Sequence, residues 1–342
     1  MNNAKKIRVL VVDDSLVFRE AVIRAISSNP QIEIAAVAVD SFEARDKLIE
    51  VRPDVIICDV EMPRMDGIEF IRQLLPKYFV PVVMVSSASN KVFEAIEAGA
   101  VDFVAKPDMN SQSSIEAFWQ DLIYKIKAAS TVKAPLPPKP EKADGRIVGS
   151  IAGNTEKIIA IGASTGGTEA IYSILKSLPA SVPGIVIVQH IPPVFSKMFA
   201  ERLNNQTSLK VKEAQTGDYA DQGTVLVAPG DSHMRIKKIG SRYRVECFKG
   251  EKVNGHCPSV DVLFDSVARE AGGNAIGIQL TGMGYDGAKG LLAIRRKGGR
   301  TIGQDKDSSV VYGMPKVAFD IGGVEIQAAL GNIPQALFSL LK

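Results

Sequence analysis

The sequence predicts an α/β protein made of two doubly wound parallel sheets in tandem, and three observations carry that reading. Short apolar, β-rich runs alternate with helix-patterned stretches over residues 1–127. A proline- and lysine-rich stretch then breaks the pattern, and the alternation resumes from about residue 156. A chain of 342 residues is too long for one small core and suits two domains. We expect domains at 1–127 and 154–342, joined by a linker over 128–153.

In the first half the apolar runs fall at 9–12, 32–38, 55–58, 82–85 and 103–105, with helical stretches such as 16–27 and 42–51 between them. Runs that are apolar throughout suit strands covered on both faces. The expectation is therefore a five-stranded parallel sheet, order 2-1-3-4-5, with helices on each side. The linker begins with four prolines and several lysines over 128–142, the composition of a semi-rigid extended chain. In the second half, runs at 158–161, 184–188, 225–227 and 275–280 predict another doubly wound sheet. Segments 234–239 and 243–248, separated by Gly240-Ser-Arg242, predict an antiparallel hairpin inserted into it.

Composition narrows the function classes. Net charge is +3, too weak to point to nucleic acid, but its distribution is uneven. Residues 1–127 carry 15 Lys+Arg against 19 Asp+Glu, a net of −4, and the remainder 26 against 19, a net of +7. An acidic half joined to a basic half suits mutual attraction or an acidic partner, and equally two solvated faces that differ in sign. Three cysteines (Cys58, Cys247, Cys257), odd in number and without metal-ligand spacing, argue against a disulfide framework or zinc site. With no signal peptide or membrane span in view, the expected location is the cytoplasm, without membrane insertion.

The chemistry of the first half sits at strand ends. Asp13 and Asp14 close the first apolar run, Asp59 the third, Ser86 the fourth and Lys106 the fifth. In order 2-1-3-4-5 the first and third strands are neighbours, and the crevice at their carboxyl ends is where ligands bind. Three carboxylates there repel one another, and a divalent cation such as magnesium relieves them. A cis bond at Pro107 would aim Lys106 inward. One carboxylate can then attack a phosphoryl group that the cation and lysine neutralise, and Ser86 can hydrogen-bond the product. A lone strand-end aspartate is more often a helix N-cap, but the whole set is more than capping requires.

These residues resemble the response-regulator receiver family, a flavodoxin-like fold, across residues 7–127. The matching segments are Asp13-Asp14, Cys58-Asp-Val-Glu-Met-Pro-Arg-Met-Asp-Gly67, Met84-Val-Ser-Ser87 and Phe103-Val-Ala-Lys-Pro107. The resemblance implies Asp59 as phospho-acceptor, Asp13, Asp14 and Asp59 on Mg2+, Ser86 as switch hydroxyl and Lys106 as phosphate partner. Phe103 stands where the family often has a rotating aromatic, and plain core packing explains it equally well.

In the second half, Gly162-Ala-Ser164-Thr-Gly166 matches G-x-S-x-G, a turn that lifts a serine above a sheet at a helix start. A dinucleotide-binding turn competes, but the G-x-G-x-x-G spacing and the acidic residue after the next strand are missing. A serine hydroxyl needs a base. His190 follows the run at 184–188 and shares the carboxyl-end rim with Ser164, whereas His233 and His256 lie in turns and are expected only to be solvated or hydrogen-bonded. Asp286, in Thr281-Gly-Met-Gly-Tyr-Asp-Gly287, can orient His190, and its plain alternative is a cap for the helix over 287–297. Glycines 282, 284 and 287 permit close backbone approach, so amides near Thr165 and Met283 are candidate oxyanion donors.

The order Ser164…His190…Asp286 is not that of α/β-hydrolases. From residue 158 onward the chain resembles the catalytic domain of the chemotaxis protein-glutamate methylesterase (CheB) family. The motifs are Ile161-Gly-Ala-Ser-Thr-Gly-Gly167, Val188-Gln-His-Ile-Pro192, Ala228-Pro-Gly230, Pro258-Ser-Val-Asp261, 280–287 and Gly313-Met-Pro315. Ile191 is a departure where methionine is expected, and the linker is unusually rich in proline. The resemblance implies a phosphorylation-activated serine hydrolase that demethylates glutamate methyl esters, and deamidates glutamines, on chemoreceptors. It implies the chemotaxis histidine kinase as phospho-donor and no cofactor in the catalytic half. The alternatives are a response regulator with a non-catalytic output, for which a DNA-recognition helix is missing, or a dinucleotide-binding output.

Overall fold

The computed structural model describes residues 5–87, 91–133 and 156–341. The chain divides into two compact units, Met1–Lys139 and Pro140–Lys342. In the first, strands β1 (Ile7–Val12), β2 (Ile32–Ala38), β3 (Val55–Asp59), β4 (Val82–Ser86) and β5 (Asp102–Ala105) alternate with five helices. These are α1 (Leu16–Ser27), α2 (Ser41–Val51), α3 (Gly67–Leu74), α4 (Lys91–Glu97) and α5 (Gln112–Ala129). The strands pair in parallel in the order β2-β1-β3-β4-β5, as expected.

Burial explains the arrangement. Val9, Val11, Val55, Ile57, Val83, Val85 and Val104 alternate along their strands and pack with Val22 and Ile26 of α1 and Phe118, Leu122 and Ile126 of α5. The intervening Leu10, Val12, Ile56, Cys58, Val82 and Met84 are also fully buried, so the sheet is covered on both faces. Ser15, Asp40 and Asp66 accept from first-turn amides of α1, α2 and α3, which starts each helix just past a strand end. Helix α5 continues to Ala129, two residues beyond the expected domain limit, and most of the expected linker, 134–153, lies outside the described residues.

The second unit contains β6 (Ile158–Ala163), β7 (Ile185–Gln189), β8 (Lys210–Glu213), β9 (Thr224–Val227), β10 (His233–Ile239), β11 (Arg242–Phe248), β12 (Ala275–Gln279), β13 (Arg300–Gln304) and β14 (Ile326–Ala328). Its helices are α6 (Gly167–Lys176), α7 (Pro193–Gln206), α8 (Val260–Ala271), α9 (Ala288–Arg296), α10 (Met314–Asp320) and α11 (Ile333–Leu341). Seven strands form one parallel sheet, β14-β13-β12-β6-β7-β9-β8. The hairpin β10-β11 forms its own two-stranded sheet and is not inserted in the larger one. Its inward residues Met234, Ile236, Tyr243 and Val245 join the core made with Leu263, Phe264 and Val267 of α8.

Strands β8, β13 and β14 escape the sequence reading for a physical reason. Lys210-Val-Lys-Glu213 carries charges on an edge, Arg300-Thr-Ile-Gly-Gln304 is half polar, and Ile326-Gln-Ala328 is only three residues long. The Lys106–Pro107 bond is trans, against expectation; the cis bond among the described residues is Cys257–Pro258.

Candidate active site

In the first unit the expected carboxylates converge. Ligand atoms of Asp13, Asp14 and Asp59 lie within 4.8 Å of one another. Lys106 Nζ is 2.6 Å from Asp59 Oδ2 and 3.3 Å from Asp13 Oδ2, so ion pairing, not a cis proline, draws the lysine inward. Asp13 Oδ2 is buried and has no hydrogen bond beyond that ion pair. Asp59 is buried, and that burial, with the Asp13 charge beside it, pushes its carboxyl up to about 6 despite Lys106. Burial pulls the Lys106 ammonium down, but the bond to Asp59 and the two carboxylate charges outweigh it and its titration moves up. An under-satisfied, proton-seeking carboxylate set of hard oxygen donors fits a divalent cation.

The supporting side chains have other partners. The Ser86 hydroxyl donates to Ser87 O at 2.7 Å. Phe103 is buried edge-on to Phe93, with ring centroids 6.0 Å apart, beneath Lys125 Nζ at 5.1 Å. Lys106 Nζ also lies 4.9 Å above the Phe18 ring. Phe18 meets Phe118 edge-on at 5.8 Å, and Phe118 meets Trp119 at 4.6 Å, so an aromatic chain runs from the acidic rim to α5.

In the second unit Ser164, His190 and Asp286 lie beyond the carboxyl ends of β6, β7 and β12, three adjacent parallel strands. The nucleophile turn is held from both sides. Ser164 N–H donates to Thr281 O at 2.9 Å, and His190 N–H donates to Ala163 O at 3.1 Å. Gly166 begins α6 at φ 76, a left-handed conformation that favours glycine at the tip of the elbow. His190 Nε2 is 3.0 Å from Asp286 Oδ2, while its Nδ1 is buried without a hydrogen-bond partner. Ser164 and Asp286 are buried.

Asp286 accepts far more than one bond. Asn254 Nδ2 (2.8 Å), Ser259 Oγ (2.8 Å) and Asp261 N–H (3.2 Å) donate to Oδ1, and Val260 N–H (2.7 Å) donates to Oδ2 beside His190. Its capping role is thus at the start of α8, not of α9, whose N-cap is Gly287. Burial alone would raise this carboxyl, but the His190 hydrogen bond and charge, with Asn254 and Ser259, hold it well below the usual range. An ionised Asp286 accepts only, so Nε2 bears a proton in either charge state of the ring, and in the neutral imidazole Nδ1 is the nitrogen left without one.

Sequence reasoning passed over several participants. His256 is not merely solvated: its ring stacks on His190, centroids 3.7 Å apart and 9° from parallel. His233, by contrast, is hydrogen-bonded as expected, to Glu251 O and Ser259 N–H, and is buried. Asn254 and Ser259 had their only signal in the segment 254–261, where a polar turn precedes a helix. Thr165 is buried, its carbonyl accepting from Thr281 Oγ1 at 2.9 Å, and Met283 is half-buried in the loop that Met314 N–H and Gly313 N–H fasten through Gly282 O.

Residues 159–337 match the family described as CheB methylesterase, and residues 9–115 match the response regulator receiver domain. A protein-glutamate methylesterase/protein-glutamine glutaminase of Syntrophomonas wolfei is 56% identical over 337 residues, 98% of each chain. One of the same name from Pseudomonas aeruginosa is 46% identical, covering 97% of this chain and 96% of its own. The crystal structure of the Thermotoga maritima CheB methylesterase catalytic domain matches at 38% identity with a TM-score of 0.53, covering 54% of this chain and 98% of that one.

Proposed function

The chain belongs to the CheB methylesterase family, with a receiver domain ahead of the catalytic half, and from that premise we propose how its own residues carry out the work. It is a protein-glutamate methylesterase and protein-glutamine glutaminase of chemotactic adaptation, regulated through phosphorylation. Ser164 Oγ attacks the γ-carbonyl carbon of a glutamate methyl ester as its proton passes to His190 Nδ1. Asp286 holds the ring and stabilises the imidazolium through Nε2–H. The amides of Thr165 and Met283 take the oxyanion, the latter between glycines 282 and 284, which permit close backbone approach. The C–O bond breaks, methoxide takes the proton from Nδ1 and leaves as methanol. Water, deprotonated by the same nitrogen, then releases the glutamate carboxylate from the serine. With glutamine as substrate the leaving group is ammonia.

The observation that carries this assignment is the 3.0 Å contact of His190 Nε2 with a fully clamped Asp286, leaving Nδ1 buried and basic on the Ser164 rim. Ser164→Ala should abolish methanol release from a methylated receptor fragment and ammonia release from its glutamine form, with an unchanged circular dichroism spectrum. Substantial residual release of either product rejects the nucleophile.

In the receiver, Asp59 is the phospho-acceptor, and Asp13, Asp14 and Asp59 would hold Mg2+, which when bound neutralises phosphoryl oxygens. Lys106 pairs with the new phosphate, and Ser86 turns from Ser87 O to donate to it. Phe103 stays in the core or moves with that turn. The phospho-donor is a chemotaxis histidine kinase and the substrates are chemoreceptors. The location we propose is the cytoplasm, which an odd number of cysteines without metal-ligand spacing suits; among the described residues no helix is long and apolar enough to cross a membrane.

A further inference from the structure

Strands β7 and β12, which flank the nucleophile strand β6, each end in a buried glutamine. Gln189 Nε2 donates to Ser164 O at 2.9 Å and to His190 O at 3.1 Å. Gln279 Nε2 donates only to Gly162 O, at 3.2 Å, two residues before the nucleophile. Each carboxamide oxygen lies where a helix-start residue would place a Cβ. Such an atom on Gly167 would be 2.1 Å from Gln189 Oε1, and on Gly287 2.2 Å from Gln279 Oε1. The glycines that open α6 and α9 thus make room for the amides beneath the rim.

We propose that Gln189 is a positioning residue that staples the backbone of the nucleophile to the backbone of its base. Its one amide group grips the carbonyls of both catalytic residues, so the Ser164 turn and the His190 turn cannot drift apart as independent loops. Gln279 has the same chemistry, burial and strand-end placement but touches neither catalytic residue's backbone. It is therefore the matched control. The inference rests on Ser164 and His190 being nucleophile and base. Its energetic reason is geometric: the proton must pass over a hydrogen-bond distance, and small misplacements of reacting groups lower turnover steeply.

The test uses full-length protein carrying Gln189→Met or Gln279→Met, near-isosteric changes that delete the donor. kcat and KM for methanol release and the thermal midpoint are measured for each. Gln189→Met should lose on the order of tenfold to a hundredfold in kcat with KM within about twofold. Gln279→Met should keep kcat within about threefold of the parent, even where its thermal midpoint falls as far. Near-parental kcat in Gln189→Met, or an equal loss in both variants, overturns the staple. If Gln189→Met does not fold, Gln189→Asn, one methylene shorter and unable to span both carbonyls, is judged by the same criteria. A parent enzyme that survives Ser164→Ala overturns the underlying hydrolase assignment. A dead Ser164→Ala beside a fully active Gln189→Met overturns the staple alone.

Discussion

Both halves of this chain place a buried aspartate at the carboxyl rim of a parallel sheet, and the two aspartates are treated in opposite ways. Asp59 has Lys106 as its main partner and Asp13 as a repelling neighbour, so burial wins and its carboxyl rises to about 6. Asp286 is just as buried, yet four protein donors besides His190 surround it and its carboxyl is held low. The difference lies in what each site awaits. The receiver rim sets three carboxylates against one lysine and so fits the cation and phosphoryl group proposed for it. The hydrolase rim is already satisfied, so its carboxylate can hold an imidazole still without reorganising.

The largest expected effect breaks the satisfied site. Asp286→Asn should lower kcat on the order of 10³- to 10⁴-fold, because an amide that donates to His190 inverts the imidazole tautomer. It should also destabilise the catalytic unit, since Val260 and Asp261 N–H lose a charged acceptor. Kinetics with methylated receptor fragment and a melting curve check both, and a variant with parental kcat would separate the ion pair from catalysis. Next comes regulation. Acetyl phosphate with magnesium should raise the methylesterase rate, and Asp59→Asn should remove that rise while basal activity stays. Deleting residues 1–130 should raise the rate above that of the unphosphorylated chain, and no rise would mean that the receiver does not restrain the enzyme.

The smallest effect sharpens the comparison through pH. In metal-free buffer, folded Asp59 retains a proton that the unfolded chain has released between about pH 4 and pH 6. Receiver stability should therefore rise as pH falls through that window and be lost as pH climbs through about 6. Asp286 has the opposite sign: its contribution is present above its ordinary carboxyl range and disappears as pH drops below about 4. Thermal melts in chelator from pH 7 to 3.5 should show the receiver transition moving up by a few degrees before the catalytic one falls. Asp59→Asn should raise the receiver midpoint at pH 7 and flatten its slope. Parallel slopes for the two transitions would contradict the contrast.

The receiver was the more legible half because each of its chemical residues directly ends an apolar run, and five such runs give the order of the sheet. His190 could be picked out by its place just after such a run, Ser164 by the G-x-S-x-G turn, and Asp286 by the glycine-rich loop that follows β12. What escaped was contributed by segments with no periodic signal. Asn254, His256 and Ser259 come from a polar turn between the hairpin and α8, and only tertiary packing brings that turn to Asp286 and His190. The glutamines were hidden in plain sight: Val188-Gln189, Ile278-Gln279 and Gly303-Gln304 all end strands, and the last accepts from Thr281 N–H at 2.8 Å. A polar amide recurring at the buried end of apolar strands is a signal that hydrophobic patterning discards. Pro107 erred the other way, since two carboxylates orient Lys106 without any special backbone geometry.

The aromatic chain behind Lys106 ends at Trp119, and this is the only tryptophan of the 342 residues. Indole emission therefore reports on one half of the molecule while the other stays dark, so the receiver can be watched in the intact protein without a label or a cut. Acyl phosphate formation, cation uptake and melting should each be readable as a change in that emission, separately from methanol output.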